Sequence, residues 1–275
     1  MKNTTIAFIG GGNMARSLIG GLLADGLPPD HIWAADPDPA ARHELETHYR
    51  VPTTVDNADA ARRADVVLIA VKPQAAREAV LALAPAVKQR RPLVISVAAG
   101  IRERALRAWL GEGTAIVRTM PNTPALVGSG ATALFANAEV SSVQKNLAES
   151  VLRAVGMTVW VEDEALLDAV TALSGSGPAY FFLVMEAMET AGQHLGLPRD
   201  TARLLTLQTA LGAAKMALES GESLSELRRR VTSPGGTTER AIRVLQSHRL
   251  EALFDEALKA AHRRSQELAD LFGEG

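Results

Sequence analysis

Three consecutive glycines, residues 10–12, follow directly on the first apolar segment of this 275-residue chain. Residues 6–9 before them predict a strand, and the apolar spacing of residues 14–23 predicts a helix. With Ala15 the glycines fit the pattern G-x-G-x-x-A, which places a tight turn between the strand and the helix. Such a turn brings the pyrophosphate of a dinucleotide to the free N–H groups of the helix. A glycine turn that binds another ligand, such as a flavin, or none is the alternative.

Apolar segments alternate with helical patterns over the first part of the chain. Further strands are predicted at residues 32–35, 66–71, 93–97, 116–117, 131–135 and 158–161, and helices at residues 39–49 and 74–83. Strands that are apolar on both faces and separated by helices are typical of a parallel sheet covered on both sides. We therefore predict an α/β dinucleotide-binding (Rossmann-like) domain over residues 1–162.

The chain changes character after this point. Only helical patterns follow, at residues 164–173, 179–195, 199–220, 224–231, 237–246 and 250–272. Residues 163–275 are therefore predicted to form an all-α domain. Within it, residues 204–218 are apolar or small nearly all the way round, whereas a surface helix keeps a polar face. We expect this helix to be buried, either centrally or in a subunit interface, and the interface is favoured because few other residues are left to surround it.

Composition narrows the function classes. The chain has no cysteine, which excludes disulfides, thiolate nucleophiles and Cys-ligated zinc or iron–sulfur clusters. Its 29 Lys and Arg balance 31 Asp and Glu, so we expect no nucleic-acid or membrane partner, but small molecules or copies of itself. No apolar run reaches the roughly 18 to 20 residues needed to cross a bilayer, and residues 6–9 are too few for a signal-peptide core. A cytoplasmic protein without a metal site is predicted.

An acidic residue, Asp36, ends the second predicted strand. In a dinucleotide-binding unit such a carboxylate accepts hydrogen bonds from the adenine ribose hydroxyls and favours NAD over NADP. The alternative is a turn and helix cap, because residues 36–39 read Asp-Pro-Asp-Pro and these residue types are common before helices. Both interpretations stay open at this point, and Arg42 is close enough in sequence to reach a 2′-phosphate.

Several other segments lie where ligands bind. Residues 70–73 and 97–100 follow predicted strands, and ligands of open α/β sheets bind at the carboxyl ends of the strands. In the helical part, residues 174–179 and 233–238 combine hydroxyls, glycines and a proline before a predicted helix, an arrangement that holds anions such as carboxylates. Ordinary strand-to-helix turns and helix capping are the alternatives for each segment taken alone.

The glycine-rich segments contain no histidine. Reducing a ketone creates an alkoxide that needs a positioned acid, usually His or Lys, whereas a protonated imine accepts hydride without one. All six histidines lie in predicted helices or near helix ends, so the pattern favours a C=N substrate. Lys215 is the alternative acid, and with it a β-hydroxyacid dehydrogenase remains an alternative function.

Six segments together resemble one family. They are IGGGNMA (residues 9–15), AVKP (70–73), SVAAG (96–100), MPNTP (120–124), LSGSGPAY (173–180) and TSPGGTT (232–238). These segments resemble the motifs of pyrroline-5-carboxylate reductase, in the same order and over almost the whole chain. The last of them is the most specific, since it is similar to the signature of that family.

The resemblance implies an enzyme that reduces 1-pyrroline-5-carboxylate to L-proline, the last step of proline synthesis, with hydride from NADPH or NADH. It places Thr238 on the ring nitrogen and Ser233, with the amides of Gly236 and Thr237, on the carboxylate; Thr238 and Ser233 would be catalytic, and Ser176 joins the substrate-binding group. The implied cofactor-binding residues are Gly10, Gly11, Gly12, Asn13, Met14, Ala15, Asp36, Asn57, Ala70, Val71, Lys72, Pro73, Val97, Ala98, Ala99 and Gly100.

The resemblance also implies a homodimer through interleaved helical domains, often assembled into a pentamer of dimers, a homodecamer. The chain departs from the family at position 36, where many relatives carry a small hydroxyl residue and accept NADPH readily. Asp36 therefore puts the usual NADPH preference in doubt. A non-catalytic dinucleotide sensor is a further alternative to the reductase.

Overall fold

The computed structural model describes residues 4–273 and contains an eight-stranded sheet in the order β3-β2-β1-β4-β5-β6-β7-β8. The strands are β1 (Ile6–Ile9), β2 (Ile32–Ala35), β3 (Thr53–Thr54), β4 (Val66–Ile69), β5 (Leu93–Ser96), β6 (Ile116–Met120), β7 (Gly130–Ala136) and β8 (Gly156–Trp160). The strand order reverses between β1 and β4, and open α/β sheets bind ligands outside the carboxyl ends of the strands at such a reversal. The predicted α/β fold is confirmed.

The sheet departs from a purely parallel one at β7, which runs antiparallel to β6. The two strands are joined by a short segment that contains only the 3-10 helix Thr123–Val127. A parallel partner would need a crossover of about a dozen residues or more, usually a helix, so the short connection forces the chain to reverse.

Alternate residues of the strands supply two cores, one on each face of the sheet. Ile6 and Phe8 of β1 belong to one cluster, while Ala7 and Ile9 belong to the other, and all four are fully buried. Because both faces are covered, the strands β1 and β4 at the centre of the sheet are apolar throughout, as the sequence pattern predicts. Fully burying a large apolar side chain such as Phe8 contributes about 1.5–3 kcal/mol.

Seven α-helices precede Ser176 in the described residues. They are α1 (Asn13–Ala24), α2 (Pro39–Glu44), α3 (Asn57–Arg62), α4 (Pro73–Arg90), α5 (Glu103–Leu110), α6 (Ser142–Arg153) and α7 (Leu166–Val170). α3, α5 and α6 lie in stretches for which the sequence analysis predicts no element. π-helical turns, Leu45–Tyr49 and Thr171–Gly175, directly follow α2 and α7.

Five helices follow: α8 (Gly177–His194), α9 (Arg199–Glu219), α10 (Leu224–Arg230), α11 (Thr237–Ser247) and α12 (Leu250–Gly273). The described residues after β8 contain no strand, in agreement with the predicted all-α part. α9 buries only Ala202 and Thr206, and Leu204 and Leu211 stay 68% and 62% exposed. Its all-round apolar surface is therefore not covered centrally within one chain.

Contacts divide the described chain into two compact units. Unit 1 runs to Ser176 and includes the residues from Ala260 onward, while unit 2 spans Gly177–Lys259. The end of α12 belongs to unit 1 because Ser265 donates to Asp168 at 2.6 Å and Arg102 pairs with Asp270 at 3.1 Å. The division between these units does not coincide with the predicted domain boundary after residue 162. That boundary stays a prediction.

Among residues 4–273, no helix has both the length and the apolar character that crossing a membrane requires.

Candidate active site

The glycine turn follows β1 at the reversal of strand order. Gly10 has a φ of +100°, a conformation that L side chains rarely adopt, and its N–H donates to the Ala35 carbonyl of β2 at 2.8 Å. A Cβ on Gly10 would lie 2.8 Å from the Ala70 carbonyl oxygen, which is closer than real Cβ contacts allow. Both the backbone angle and the crowding between β2 and β4 therefore require glycine here.

The helix that opens after the turn leaves its first amides free for an anion. No side chain caps the N-terminus of α1 at Gly12, and its first turn contains no acidic residue. A Cβ built on Gly12 meets nothing within 4 Å, so the space in front of this backbone is open. Unpaired N–H groups at a helix N-terminus attract negative charge. The arrangement fits the pyrophosphate of a dinucleotide, and Ala15, fully buried, packs the helix against the sheet.

Asp36 is bonded to the glycine turn. One carboxylate oxygen (Oδ2) accepts from the Gly11 N–H at 2.6 Å, and the other accepts from the Asp38 N–H at 2.8 Å. The helix cap is Asp38, whose side chain accepts from the Ala40 N–H at 2.9 Å. Each carboxylate oxygen has two lone pairs, so Asp36 retains acceptor capacity for ribose hydroxyls.

The guanidinium of Arg42 is engaged by the backbone and is not directed at the position of a 2′-phosphate. Its Nη1 donates to the carbonyls of Asp36 and Pro37 at 2.7 and 3.0 Å. These bonds hold the guanidinium on the backbone of the turn.

The remaining predicted cofactor residues lie at the ends of neighbouring strands. Residues 70–73 connect β4 to α4, residues 97–100 follow β5, and Asn57 is the first residue of α3. The Ser96 hydroxyl accepts from the Ala98 N–H at 3.3 Å, and the Thr119 hydroxyl donates to the Ser96 carbonyl at 3.1 Å. These bonds fix the start of the 97–100 segment. In unit 1 the sheet thus brings the segments after β1, β4 and β5 to one edge, as parallel strands must.

A cavity of about 380 Å³ opens in unit 1 beside two of these segments. Its lining combines predicted and unpredicted residues: Pro73, Gln74, Ala99, Gly100, Thr171, Ser176, Ala261, Arg264, Ser265, Leu268 and Phe272. The predicted substrate residue Ser176 therefore lies in one cavity with the predicted cofactor residues Pro73, Ala99 and Gly100. The contribution of α12 was missed, because its sequence shows only an ordinary helical pattern.

Asn122 connects two of the recognised motifs. Its side-chain amide donates to the carbonyl and the hydroxyl of Ser174 at 3.3 and 3.2 Å, and its Oδ1 accepts from the Ala131 N–H at 2.9 Å. The bonds tie the segment 120–124 to the turn that ends at Ser176. No role for Asn122 follows from the sequence, since its partner Ser174 is 52 residues away.

In unit 2, residues 233–238 form a turn that opens α11. Gly235 has a φ of +72° and donates its N–H to the Glu239 carboxylate at 2.8 Å. Among residues 4–273, the hydroxyls of Ser233, Thr237 and Thr238 have no hydrogen-bond partner, and no side chain caps this helix. Free hydroxyls and free amides at a helix N-terminus are suited to a carboxylate.

One predicted carboxylate contact is already used within the turn. The Gly236 N–H donates to the Ser233 carbonyl at 3.0 Å, since the chain reverses between these residues. The amide of Thr237, at the first position of α11, is not engaged in this way. The structure therefore favours the Thr237 amide over that of Gly236 as the carboxylate donor.

Charged residues near this segment in the chain keep their charges. On α10 the Arg229 guanidinium bonded to Glu226 holds the pKa of that carboxyl below its usual value, and Glu226 raises the pKa of Arg229. Neither exposed group is thereby suited to transfer a proton near neutral pH. The alternative acid, Lys215, lies on α9, where it is 69% exposed and pairs with Glu219 at 3.8 Å.

Comparisons with known proteins extend over the whole chain. The family model described as "Pyrroline-5-carboxylate reductase dimerisation" matches residues 164–268, and "NADP oxidoreductase coenzyme F420-dependent" matches residues 5–100. A pyrroline-5-carboxylate reductase of Pseudomonas aeruginosa is 54% identical over 274 residues, covering 100% of both chains. The enzyme of Haemophilus influenzae is 46% identical over 99% of this chain and 100% of its own.

Solved structures agree with these relatives. A pyrroline-5-carboxylate reductase from Coxiella burnetii has 49% sequence identity and a TM-score of 0.93, covering 97% of this chain and 98% of its own. The Plasmodium falciparum enzyme, solved with NADP bound, has 28% identity and a TM-score of 0.87 over 98% and 99% of the two chains. On full-length identity as well as fold, this chain belongs to the pyrroline-5-carboxylate reductase family.

Proposed function

We propose that this chain reduces 1-pyrroline-5-carboxylate to L-proline with hydride from NADPH or NADH, the last step of proline biosynthesis. The 54% identity with a pyrroline-5-carboxylate reductase over 100% of both chains carries this assignment. Two features of the geometry support it: the open glycine turn of unit 1 and the unpaired hydroxyls of residues 233–238 in unit 2.

The cofactor end of the site is built from backbone. The free amides at the start of α1 hold the pyrophosphate, and Asp36 accepts from the adenine ribose. The segments 70–73 and 97–100, with Asn57, line the rest of the dinucleotide. When bound, the reduced nicotinamide supplies the hydride.

The substrate end uses hydroxyls and a helix N-terminus. Ser233 and the Thr237 amide hold the substrate carboxylate, and Ser176 of unit 1 remains a predicted substrate-binding residue. The Thr238 hydroxyl bonds to the ring nitrogen, where a hydroxyl can donate to a neutral imine or accept from an iminium N–H. The helix dipole of α11 adds to the attraction for the carboxylate.

The reaction needs little acid–base chemistry from the chain. Hydride adds to the imine carbon, the C=N bond becomes a single bond, and the nitrogen keeps a proton that comes from solvent, either directly or through the Thr238 hydroxyl, which takes a proton back from solvent. A protonated imine already carries positive charge, so the main task of these side chains is to hold the ring in a reactive orientation. This accounts for a site without histidine.

The direct test is the initial rate of NADH and NADPH oxidation with 1-pyrroline-5-carboxylate, purified protein and no other enzyme. We expect rapid oxidation that yields proline, and β-hydroxyacids should not be oxidised. Binding of dinucleotide without turnover would instead support a sensor, and hydroxyacid oxidation that is lost in Lys215→Met would support a β-hydroxyacid dehydrogenase.

The exposed apolar surface of α9 supports a homodimer through unit 2. We expect sedimentation to give at least the mass of two chains, and about ten chains if dimers assemble into a pentamer. Leu211→Glu places a charge on this surface and should yield monomers, whereas Val143→Glu, at a 74% exposed position on α6, should not. A wild-type monomer at assay concentration would contradict the proposal. The cytoplasmic location stays a prediction.

A further inference from the structure

The peptide groups on both sides of Gly11 are held by side chains. The Gly11 N–H donates to Asp36 at 2.6 Å, and the Gly11 carbonyl accepts from Nε of Arg16 at 2.8 Å. The glycine turn is therefore fixed at its centre by an anion on one side and a cation on the other. Of these residues, the sequence analysis did not single out Arg16.

The bond from Arg16 sets the direction of the next amide. The peptide between Gly11 and Gly12 is planar and trans, so its carbonyl and its N–H point in opposite directions. Holding the Gly11 oxygen toward Arg16 leaves the Gly12 N–H pointing away from Arg16. Gly12 is also the position where an added Cβ would meet only open space.

Arg16 is itself fixed by a partner. Its Nη1 lies 2.5 Å from the Glu44 carboxylate at the end of α2, and only 25% of its side chain is exposed. Its own backbone N–H donates to the Gly12 carbonyl at 3.0 Å in the first turn of α1. The guanidinium is therefore neutralised by Glu44 and directed at a carbonyl.

We propose that Arg16 is a positioning residue for the pyrophosphate of the dinucleotide: it orients the Gly12 amide through the Gly11 carbonyl, and Glu44 orients Arg16. The proposal rests on the proposed function, because it takes the glycine turn as the pyrophosphate site. Arg16 acts here through its hydrogen bond. The competing role, a direct positive charge for the phosphates, predicts opposite results.

The test measures binding of ADP-ribose, which contains the pyrophosphate but takes no part in turnover, by titration calorimetry. Arg16→Met removes the donor and should weaken binding about tenfold, as expected for one charged hydrogen bond. Arg16→Gln keeps a donor without the charge and should recover most of the affinity. Glu44→Ala releases the guanidinium from its orientation and should weaken binding about threefold, within the range of one modest hydrogen bond.

Direct attraction between Arg16 and the phosphates would change the order of the ADP-ribose affinities among these variants. Glu44→Ala would then strengthen binding by unmasking the charge, and Arg16→Gln would be as weak as Arg16→Met; either result overturns the proposal. Wild-type affinity in Arg16→Met overturns it as well. The matched control is Arg153→Met on α6, where the arginine pairs with Glu149 four residues earlier and should leave binding unchanged.

Two further readouts separate positioning from loss of fold. In Arg16→Met the KM for NADH should rise by a larger factor than kcat falls, and thermal unfolding should show that the variant, like Arg153→Met, is folded at the assay temperature. A fall in kcat with no rise in KM contradicts the proposal. If wild-type protein fails to bind ADP-ribose, the proposed function itself fails, which is distinct from wild-type binding that Arg16→Met leaves intact.

Discussion

Replacing Thr238 by alanine is expected to lower kcat for 1-pyrroline-5-carboxylate about a hundredfold, a loss of about 2.7 kcal/mol in transition-state stabilisation. The hydroxyl has no hydrogen-bond partner among the described residues. In the proposed mechanism it forms a hydrogen bond with the ring nitrogen of the substrate, where the charge changes as hydride adds. Affinity for NADH and NADPH should stay nearly intact, because the dinucleotide contacts lie on other residues. Steady-state rates and direct dinucleotide titration check the two expectations.

Thr238→Ser is the matched control, since it keeps the hydroxyl and removes only a methyl group. It should retain most of the turnover of the wild type. Loss of turnover and of dinucleotide binding by the same factor in Thr238→Ala would count against Thr238 as a substrate contact. A general effect on α11 would also appear as a lower unfolding temperature, which the serine variant should not share.

Replacing Asp36 by serine should shift the ratio of kcat/KM values from NADH toward NADPH by about thirtyfold. Near a protein surface, repulsion between a carboxylate and a neighbouring phosphate charge costs about 2 kcal/mol after screening by water and salt. The 2′-phosphate of NADPH would bear this cost and NADH would not. We therefore expect the wild type to favour NADH, and initial rates with both cofactors measure the change.

Loss of the hydrogen bond between Asp36 and the Gly11 N–H should change kcat/KM for each cofactor, but not the ratio of the two values. Loss of this bond disturbs the glycine turn for both cofactors equally, so the effect cancels when kcat/KM values are divided. Asp36→Asn keeps an acceptor for Gly11 without the charge, and it should shift the ratio in the same direction with less loss of overall activity. An unchanged ratio in both variants would show that Asp36 serves the turn alone.

Local patterns predicted most of the secondary structure near the proposed cofactor site. The predicted strands at residues 6–9 and 32–35 coincide with β1 and β2, and α1 lies within one residue of its predicted ends. These elements depend on apolar periodicity and on glycine, whose effects are local. The helices α3, α5 and α6 were not predicted; α3 and α5 are only six and eight residues long, and helices this short depend on tertiary packing for their stability.

The sequence by itself determined the fold class, the glycine turn after β1 and the family, because strand and helix periods and the φ values open to glycine are properties of neighbouring residues. Only the tertiary structure decided which side chains support the site. The hydrogen bonds from Arg16 to Gly11 and from Asn122 to Ser174 depend on particular side-chain orientations. The hydrogen bond from Ser265 to Asp168 joins residues that lie 97 positions apart in the chain. Such hydrogen bonds leave no periodic signal, since they form only after the sheet and helices bring distant segments within about 3 Å of each other.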